Sequence, residues 1–275
     1  MRRAIVALAL LVPILSQAAL SVPVTATETD EPVPYARRTF SLVDLPYDHL
    51  PFTSEPPPAL PQAPPATRKG IPLYRWVDGH LYVRPGSVAI NGMKRLDAYR
   101  DTGDIRQLEQ ALVLARYLRT ARLVRADAWW LPFWFDYAPE GLRAPWFNAM
   151  SQGLALSFFS RLYRVTGDDV HRRAAERVFA SFRRLGPRQA TTVPVPARSW
   201  VAYVDERDHL WLEHYPRIGP DHVLNAHLHA LNGIYEYWQL TRSAEARQLL
   251  EGALTTVRER AGQYRRRDRS SLYGL

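Results

Sequence analysis

The sequence of 275 residues contains no cysteine, which excludes disulfide bonds, thiolate metal sites and a cysteine nucleophile. Lysine is nearly missing too: it occurs only as Lys69 and Lys94, so arginine makes up almost all of the 36 basic residues. With 27 acidic residues the net charge is +9. Because arginine binds carboxylates through paired hydrogen bonds, the composition fits a polyanionic partner, and it fits an arginine-favouring codon bias equally well.

A long apolar run of the kind that spans a bilayer as a mature helix is also missing. The N-terminal run Ala4 to Leu15 is shorter than such a span; it follows Arg2 and Arg3, and small residues suited to signal peptidase come after it. This pattern predicts a signal peptide over residues 1–26, with an uncleaved anchor as the alternative. We therefore expect a secreted or cell-envelope protein with no integral membrane span after signal cleavage.

Residues 27–70 are rich in proline and are interpreted as an extended lead-in. Its segment Tyr47 to Phe52 is too aromatic for a pure linker, so we expect it to pack on the domain that follows over residues 71–275. Two short apolar stretches, Tyr74–Val77 and Leu81–Val83, flank Asp78 and Gly79. This arrangement predicts a small β-hairpin.

From Ser87 onward the apolar spacing is helical and repeats three times. In the first two repeats a Gly-Asp step, at Gly103 and Gly167, closes one helix and caps the next. The predicted helix pairs are Ala89–Tyr99 with Ile105–Leu123, Ala149–Tyr163 with a helix to Leu185, and Val223–Trp238 with a helix to Gly262. We expect an all-α fold, an α/α-barrel of antiparallel helix pairs, complete or incomplete, with the hairpin and a loop and strand insert. Functional sites should lie where the inner helices begin.

The insert covers residues 186–220, and short strands are expected at Thr191–Val195, Ser199–Val204 and His209–Pro216. In a strand, Glu213 and Tyr215 share one face and His214 points away. A carboxylate and a phenol on one face form a candidate acid/base pair; a solvated Glu beside a core Tyr is the alternative.

Other polar residues near the starts of the inner helices are weaker candidates. Gln152 and Asn225 are placed to bind a polar ligand, or are ordinary helix residues. His222, His227 and His229 are spaced poorly for three ligands on one helix face, so we expect no metal site. The arginine-rich tail over 258–269 is interpreted either as a contact for a polyanion or as a tail that is simply solvated. Nucleic acid is not an expected partner, because the chain is predicted to be exported.

Four segments, taken together and in order, resemble the C-terminal domain of D-glucuronyl C5-epimerases over roughly residues 70–275. They are Asn148–Gly153, Trp211–Pro216, His222–Ala226 with Leu231–Tyr235, and Ser271–Tyr273. The resemblance implies an α/α barrel, in agreement with the helix pairs. The family pattern continues beyond the position of Tyr273, whereas this sequence ends at Leu275, so an incomplete barrel is expected.

The resemblance also implies an activity: inversion of C5 of D-glucuronate residues in an acidic polysaccharide, without a cofactor. Tyr215 and Tyr273 would be the proton-transfer groups, supported by Glu213 or His214 as an acid/base. The implied substrate-binding residues are Gln152, Asn225 and Arg217. A non-catalytic polysaccharide-binding domain and a uronate lyase or hydrolase on the same barrel are the alternatives, and a homodimer is left open.

Overall fold

The computed structural model describes residues 32–53, 65–187, 199–217, 219–266, 268 and 270–275. Six α-helices within these ranges form three antiparallel pairs, which confirms the predicted all-α fold. Their bounds are α1 Pro85–Thr102, α2 Ile105–Ala121, α3 Ala149–Thr166, α4 Asp169–Phe179, α5 Leu224–Thr241 and α6 Ala244–Arg260. Helices α2, α4 and α6 end two to six residues earlier than the apolar pattern predicted.

The tight turns within the pairs follow from local sequence. Gly103 and Gly167 end α1 and α3 in the left-handed conformation, with φ of 69° and 68°, which glycine adopts without a steric cost. The side chains of Asp104 and Asp168 then accept hydrogen bonds from the first backbone N–H groups of α2 and α4. Each turn therefore reverses the chain and starts a new helix within two residues.

A short antiparallel hairpin precedes each helix pair. The strands are β1 Tyr74–Arg75 with β2 Leu81–Tyr82, β3 Leu123–Arg125 with β4 Ala128–Trp130, and β5 Ala202–Val204 with β6 Leu210–Leu212. The predicted first hairpin is confirmed, and the third lies within the predicted insert. The second was not expected, and its first residue, Leu123, had been assigned to the end of the predicted helix. The expected strand Thr191–Val195 lies outside the described residues.

The inner helices α1 and α3 run parallel and in close contact. Near their starts, a Cβ on Gly86 would lie 3.0 Å from Oγ of Ser151; further along, a Cβ on Gly92 would lie 2.2 Å from the ring of Phe158. Because residue numbers rise together along both helices, their N-termini lie at the same end.

The same argument applies to α3 and α5. Gly153 faces Ala230 and Gly233, and a Cβ on Gly233 would lie 2.1 Å from the carbonyl oxygen of Gly153. Further along, Arg161 of α3 binds Glu236 of α5 at 2.7 Å. Helices α1, α3 and α5 therefore all begin at one end of the domain, the end to which the three hairpins lead.

Helix α3 lies at the centre of this arrangement. Helices α1, α4 and α5 pack around it, and its residues are buried almost without interruption from Ala149 to Leu162. The outer helix α2 buries only one stripe, formed by Ala111, Leu114, Ala115 and Leu118. A helix that is buried on all sides lies in the interior of a helical domain, whereas a helix with one buried stripe lies on its outside. Helix α3 is therefore an inner helix, and α2 is an outer one.

Part of the proline-rich lead-in packs on the helices, as expected for the segment Tyr47 to Phe52. The hydroxyl of Tyr47 donates to Asp97 at 2.9 Å, and Arg161 donates to the carbonyl oxygen of Pro51. The limits proposed for the domain stay a prediction. Over the described ranges, no helix combines the length and apolarity needed to cross a membrane.

Candidate active site

The segment after β6 lies at the end where the inner helices begin. Strand β6 ends at Leu212. The backbone of Glu213 then accepts a hydrogen bond from N–H of Ala149, the first residue of α3, and donates one to the carbonyl of Val201, both at 2.8 Å. Because residues 213–217 are no longer strand, the expectation that Glu213 and Tyr215 share a strand face is wrong.

Glu213 is buried and pairs with His222. Its Oε1 lies 2.7 Å from Nδ1 of His222, whose ring stacks on Trp211 with centroids 4.2 Å apart. Burial raises the pKa of Glu213, because a carboxylate loses its hydration there. One oxygen of this carboxyl group is therefore engaged by His222.

Tyr215 and Tyr273 are brought together. Burial first, and the neighbouring hydroxyl of Tyr273 second, raise the pKa of Tyr215. Tyr215 is 8% exposed and its ring lies 5.7 Å from that of Tyr137, whereas Tyr273 is 57% exposed. The site thus contains one buried and one accessible phenol.

Tyr273 is held by backbone hydrogen bonds on both of its sides. N–H of Leu272 donates to the carbonyl of Tyr264, and N–H of Leu275 donates to the carbonyl of Asp221, both at 2.8 Å. The hydroxyl of Tyr264 in turn donates to the carbonyl of His222. The C-terminal segment is therefore anchored to the loop that leads into α5.

His214 lies beside the tyrosines. Its ring meets the Tyr215 ring edge-on, with centroids 4.4 Å apart, and its Nδ1 is buried without a hydrogen-bond partner in the described part of the chain. Burial, followed by the charge of Arg84, lowers the pKa of His214 to about 4. At neutral pH it is an uncharged imidazole with a ring nitrogen available to a ligand or a proton.

Arg217 is the predicted partner of a uronate carboxylate, but two carboxylates of the chain already bind it. Its Nε lies 3.1 Å from Oε2 of Glu140, and its terminal nitrogen contacts Asp221. The cluster of one cation and two acids is not an empty anion site. Whether Arg217 binds a uronate stays a prediction.

The two predicted amide ligands lie in different environments. Gln152 is fully buried: its oxygen accepts from N–H of Leu131 at 2.9 Å, and its nitrogen donates to Trp129 and Ser181. Its amide fastens the second hairpin to α3, and binding a sugar would require breaking these bonds. Asn225 is exposed in the first turn of α5. Their roles as sugar ligands stay predictions.

The two histidines of α5, His227 and His229, lie in different environments. His227 is fully buried; its Nδ1 accepts from N–H of Leu212 and its Nε2 lies 3.1 Å from the carbonyl of Ala253. His229 packs against Phe52 with ring centroids 5.0 Å apart. No group of three metal-ligating side chains suited to a metal ion occurs among the residues that the structure describes.

A cluster of aromatic rings beside Tyr215 was not predicted from the sequence. The rings of Phe133 and Trp146 stack 4.0 Å apart, and those of Tyr82 and Phe135 stack 4.1 Å apart. Together with Tyr215 they belong to a separate apolar cluster at this end of the domain. The dense aromatic run over residues 129–137 was the available signal.

The three antiparallel helix pairs, with their hairpins at one end, define an α/α domain. The chain matches the family described as D-glucuronyl C5-epimerase C-terminus over residues 126–275, and it belongs to that family. The matched range contains both tyrosines of the site.

Several solved structures are similar to this chain at low sequence identity. A family 76 α-mannanase from Bacteroides thetaiotaomicron is 12% identical, with a TM-score of 0.47 over 70% of this chain and 52% of its own. The cellobiose 2-epimerase from Spirochaeta thermophila is 18% identical, with a TM-score of 0.45 over 69% and 48%. A family 76 glycoside hydrolase from a bovine strain of Bacteroides thetaiotaomicron is 15% identical, with a TM-score of 0.37 over 63% and 32%. This chain thus spans about half or less of these proteins.

Proposed function

We propose that this domain inverts C5 of D-glucuronate residues in an acidic polysaccharide, without a cofactor. The observation that carries the proposal is that the hydroxyl of Tyr273 lies near enough to Tyr215 to raise its pKa. These are the two residues for which the family resemblance implies proton transfer. The loop after β6 supplies one phenol and the C-terminal segment supplies the other.

The chemistry requires proton transfer on both faces of the sugar. The C5 proton is weakly acidic because it lies beside a carboxylate, so a base must remove it while the developing negative charge is stabilised. Tyr215 has a raised pKa and keeps its proton at neutral pH, which suits the acid that protonates the carbanion. To accept the C5 proton, Tyr273 must first lose its own and act as a phenolate, whereas the uncharged ring of His214 can accept a proton directly on a ring nitrogen.

We further propose that the chain is exported and meets its polysaccharide outside the cytoplasm. The support is the signal-like pattern of residues 1–26. N-terminal sequencing of the protein recovered from the cell envelope or medium tests this part separately. A new N-terminus within residues 16–30 is expected, and an intact, cytoplasmic chain would contradict export.

Isotope exchange tests the reaction itself. Heparosan, a glucuronate-containing polymer, is incubated with the full chain in heavy water, and deuterium at C5 is measured by NMR. We expect exchange with the unaltered protein and its loss in Tyr215→Phe and Tyr273→Phe. Tyr117→Phe, which alters a half-buried phenol on the outer helix α2, should exchange as the unaltered protein does.

The other outcomes separate the alternatives. Binding of heparosan without any exchange, unchanged in Tyr215→Phe, would support a non-catalytic binding domain and overturn the proposal. Absorbance of a new double bond in the ultraviolet would indicate a lyase, because a lyase shares the proton abstraction but then expels the 4-linked sugar. If heparosan neither binds to the unaltered protein nor undergoes exchange with it, the proposal is overturned for this polymer as well.

A further inference from the structure

Arg84 occupies an unusual position at the end of the first hairpin. Its guanidinium carbon lies 4.2 Å above the ring centroid of Tyr74 and 5.5 Å from that of Trp76. Tyr74 is 46% exposed. Contacts of this kind between a guanidinium and aromatic rings are attractive and help to hold the cation in place.

No carboxylate of the described residues pairs with Arg84. Its Nε is buried and lacks a hydrogen-bond partner there, and the same is true of the indole nitrogen of neighbouring Trp76. Arg217, by contrast, is bound by Glu140 and Asp221. A buried donor without a partner costs free energy, so a site with two such donors is suited to an acceptor that is not part of the chain.

Arg84 also lies close to the candidate active site. Its charge contributes to the low pKa of His214, the residue beside Tyr215. A line of rings joins the two places: Trp76 and Tyr137 have centroids 5.0 Å apart, and Tyr137 and Tyr215 have centroids 5.7 Å apart. Arg84 and Tyr215 thus both border the same aromatic cluster.

The backbone around Arg84 favours an anion as well. Arg84 directly precedes α1, and the first turns of α1, α3 and α5 contain no acidic side chain. The first turns of these parallel inner helices therefore contribute partial positive charge with no acidic side chain in the turns themselves. This adds to the charge of the guanidinium rather than opposing it.

We propose that Arg84 binds the carboxylate of the hexuronate residue that lies beside Tyr215, with the exposed ring of Tyr74 packing against the sugar. This inference rests on the proposed function and names the residue that recognises the acid group of the substrate. Arg84 lies outside residues 126–275, the range that matches the family. It takes the role that the resemblance had assigned to Arg217.

Calorimetric titration with heparosan oligosaccharides tests the inference. Arg84→Gln should weaken binding about tenfold or more, as expected when one partner of a hydrogen-bonded charge pair is removed. The matched control is Arg122→Gln: Arg122 lies 4.1 Å over the ring of Trp129 and has a similarly unpartnered Nε, but it is not among the groups that perturb His214 or Tyr215. The control should bind as the unaltered protein does.

A carboxyl-reduced heparosan separates charge recognition from general sugar binding. It should bind more weakly than heparosan to the unaltered protein, and Arg84→Gln should bind both polymers alike. If Arg84→Gln weakens the binding of the reduced and the native polymer by the same factor, recognition of the carboxylate is overturned. Equal binding of heparosan by Arg84→Gln and the unaltered protein would overturn it as well.

A measurement without ligand checks the placement of Arg84. The pKa of His214, about 4, should rise in Arg84→Gln when followed by NMR titration, and should stay the same in Arg122→Gln. An unchanged pKa would contradict the proximity on which the inference depends. Exchange at C5 that persists undiminished in Arg84→Gln would overturn this inference alone, whereas absence of exchange and binding in the unaltered protein would overturn the proposed function as well.

Discussion

Oε1 of Glu213 lies 2.7 Å from Nδ1 of His222, and the side chain of Glu213 is 1% exposed. The second oxygen of this carboxyl group has no hydrogen-bond partner in the described part of the chain. His222 adopts a left-handed conformation, with φ of 48°, which costs free energy for a residue other than glycine. The pair therefore holds the loop before α5 in a conformation that the chain would otherwise avoid.

Glu213→Gln should change how stability depends on pH. Burial raises the pKa of Glu213 above its ordinary value of 4.5, so folding favours the protonated form. The stability that the protonated Glu213 contributes is present in full below the pKa that this group has in the unfolded chain. It is lost as the pH rises through the pKa that the group has in the folded protein. Urea unfolding of the unaltered protein should therefore lose stability above pH 4.5 relative to Glu213→Gln.

Glu245→Gln is the control for this measurement. Glu245 is exposed and pairs with Arg183 on the surface, where an ion pair contributes about 0–1 kcal/mol. Its pH profile should run parallel to that of the unaltered protein. A parallel profile for Glu213→Gln would show that the buried carboxyl group is not perturbed.

Tyr264→Phe should slow the proposed reaction without removing a group that touches the substrate. Tyr264 is buried, its hydroxyl donates to His222, and its carbonyl accepts from Leu272 next to Tyr273. Loss of this bond should misplace Tyr273 and lower kcat about tenfold, with KM nearly unchanged. Equal losses of activity and of folded protein would instead indicate a purely structural role, and Tyr117→Phe is the control.

His227 should make the domain sensitive to acid. Burial lowers its pKa from 6.5 to about 4, so the folded state favours the neutral ring. The full stability is present above pH 6.5 and falls by about 3 kcal/mol as the pH drops toward 4. His227→Gln should show a shallower fall over this range in urea unfolding, whereas His49→Gln, on the exposed lead-in, should keep it.

Arg161 and Glu236 form a fully buried ion pair between α3 and α5. Two hydrogen bonds of 2.7 and 2.8 Å join them, and both side chains are 0% exposed. Arg161→Met should lower the free energy of unfolding by about 3–5 kcal/mol, because it leaves a buried carboxyl group without its cation. The double variant Arg161→Met with Glu236→Leu should recover a large part, and additive losses in this double-mutant cycle would contradict coupling.

Gly233→Ala should be strongly destabilising. The added Cβ would lie 2.1 Å from the carbonyl oxygen of Gly153, so α3 and α5 would have to move apart, at a cost of about 3 kcal/mol or more. Gly262→Ala is the matched control, since its Cβ would meet no atom within 4 Å. Similar thermal unfolding midpoints for the two variants would contradict the close helix contact.

The helix pairs could be predicted because their signals are local. A glycine that ends one helix and an aspartate that caps the next, as at Gly103 and Asp104, act within a few residues. The ends of the outer helices were predicted less well. Apolar residues continue past Ala121 and Phe179, and the spacing alone does not show that the chain there leaves the helix, into β3 in the first case.

The candidate site was only partly predictable. The resemblance pointed to Tyr215 and Tyr273, and the structure brings them into contact. The pairing of Glu213 with His222 depends on a left-handed residue that no sequence pattern indicates. Arg84 was missed because its importance comes from the lack of a pairing carboxylate among the described residues, which only the folded chain reveals.

By itself, the sequence determined the helix pairs and the first hairpin, since capping and apolar spacing act between near neighbours. Only the tertiary structure decided which polar groups are free to act. Once α1, α3 and α5 pack in parallel, Gln152 is held by backbone groups and Ser181, and Arg217 is held by two acids. Arg84, by contrast, pairs with no carboxylate of the described residues. Burial and pairing depend on residues far apart in the chain, so the balance of charges at the site exists only in the folded protein.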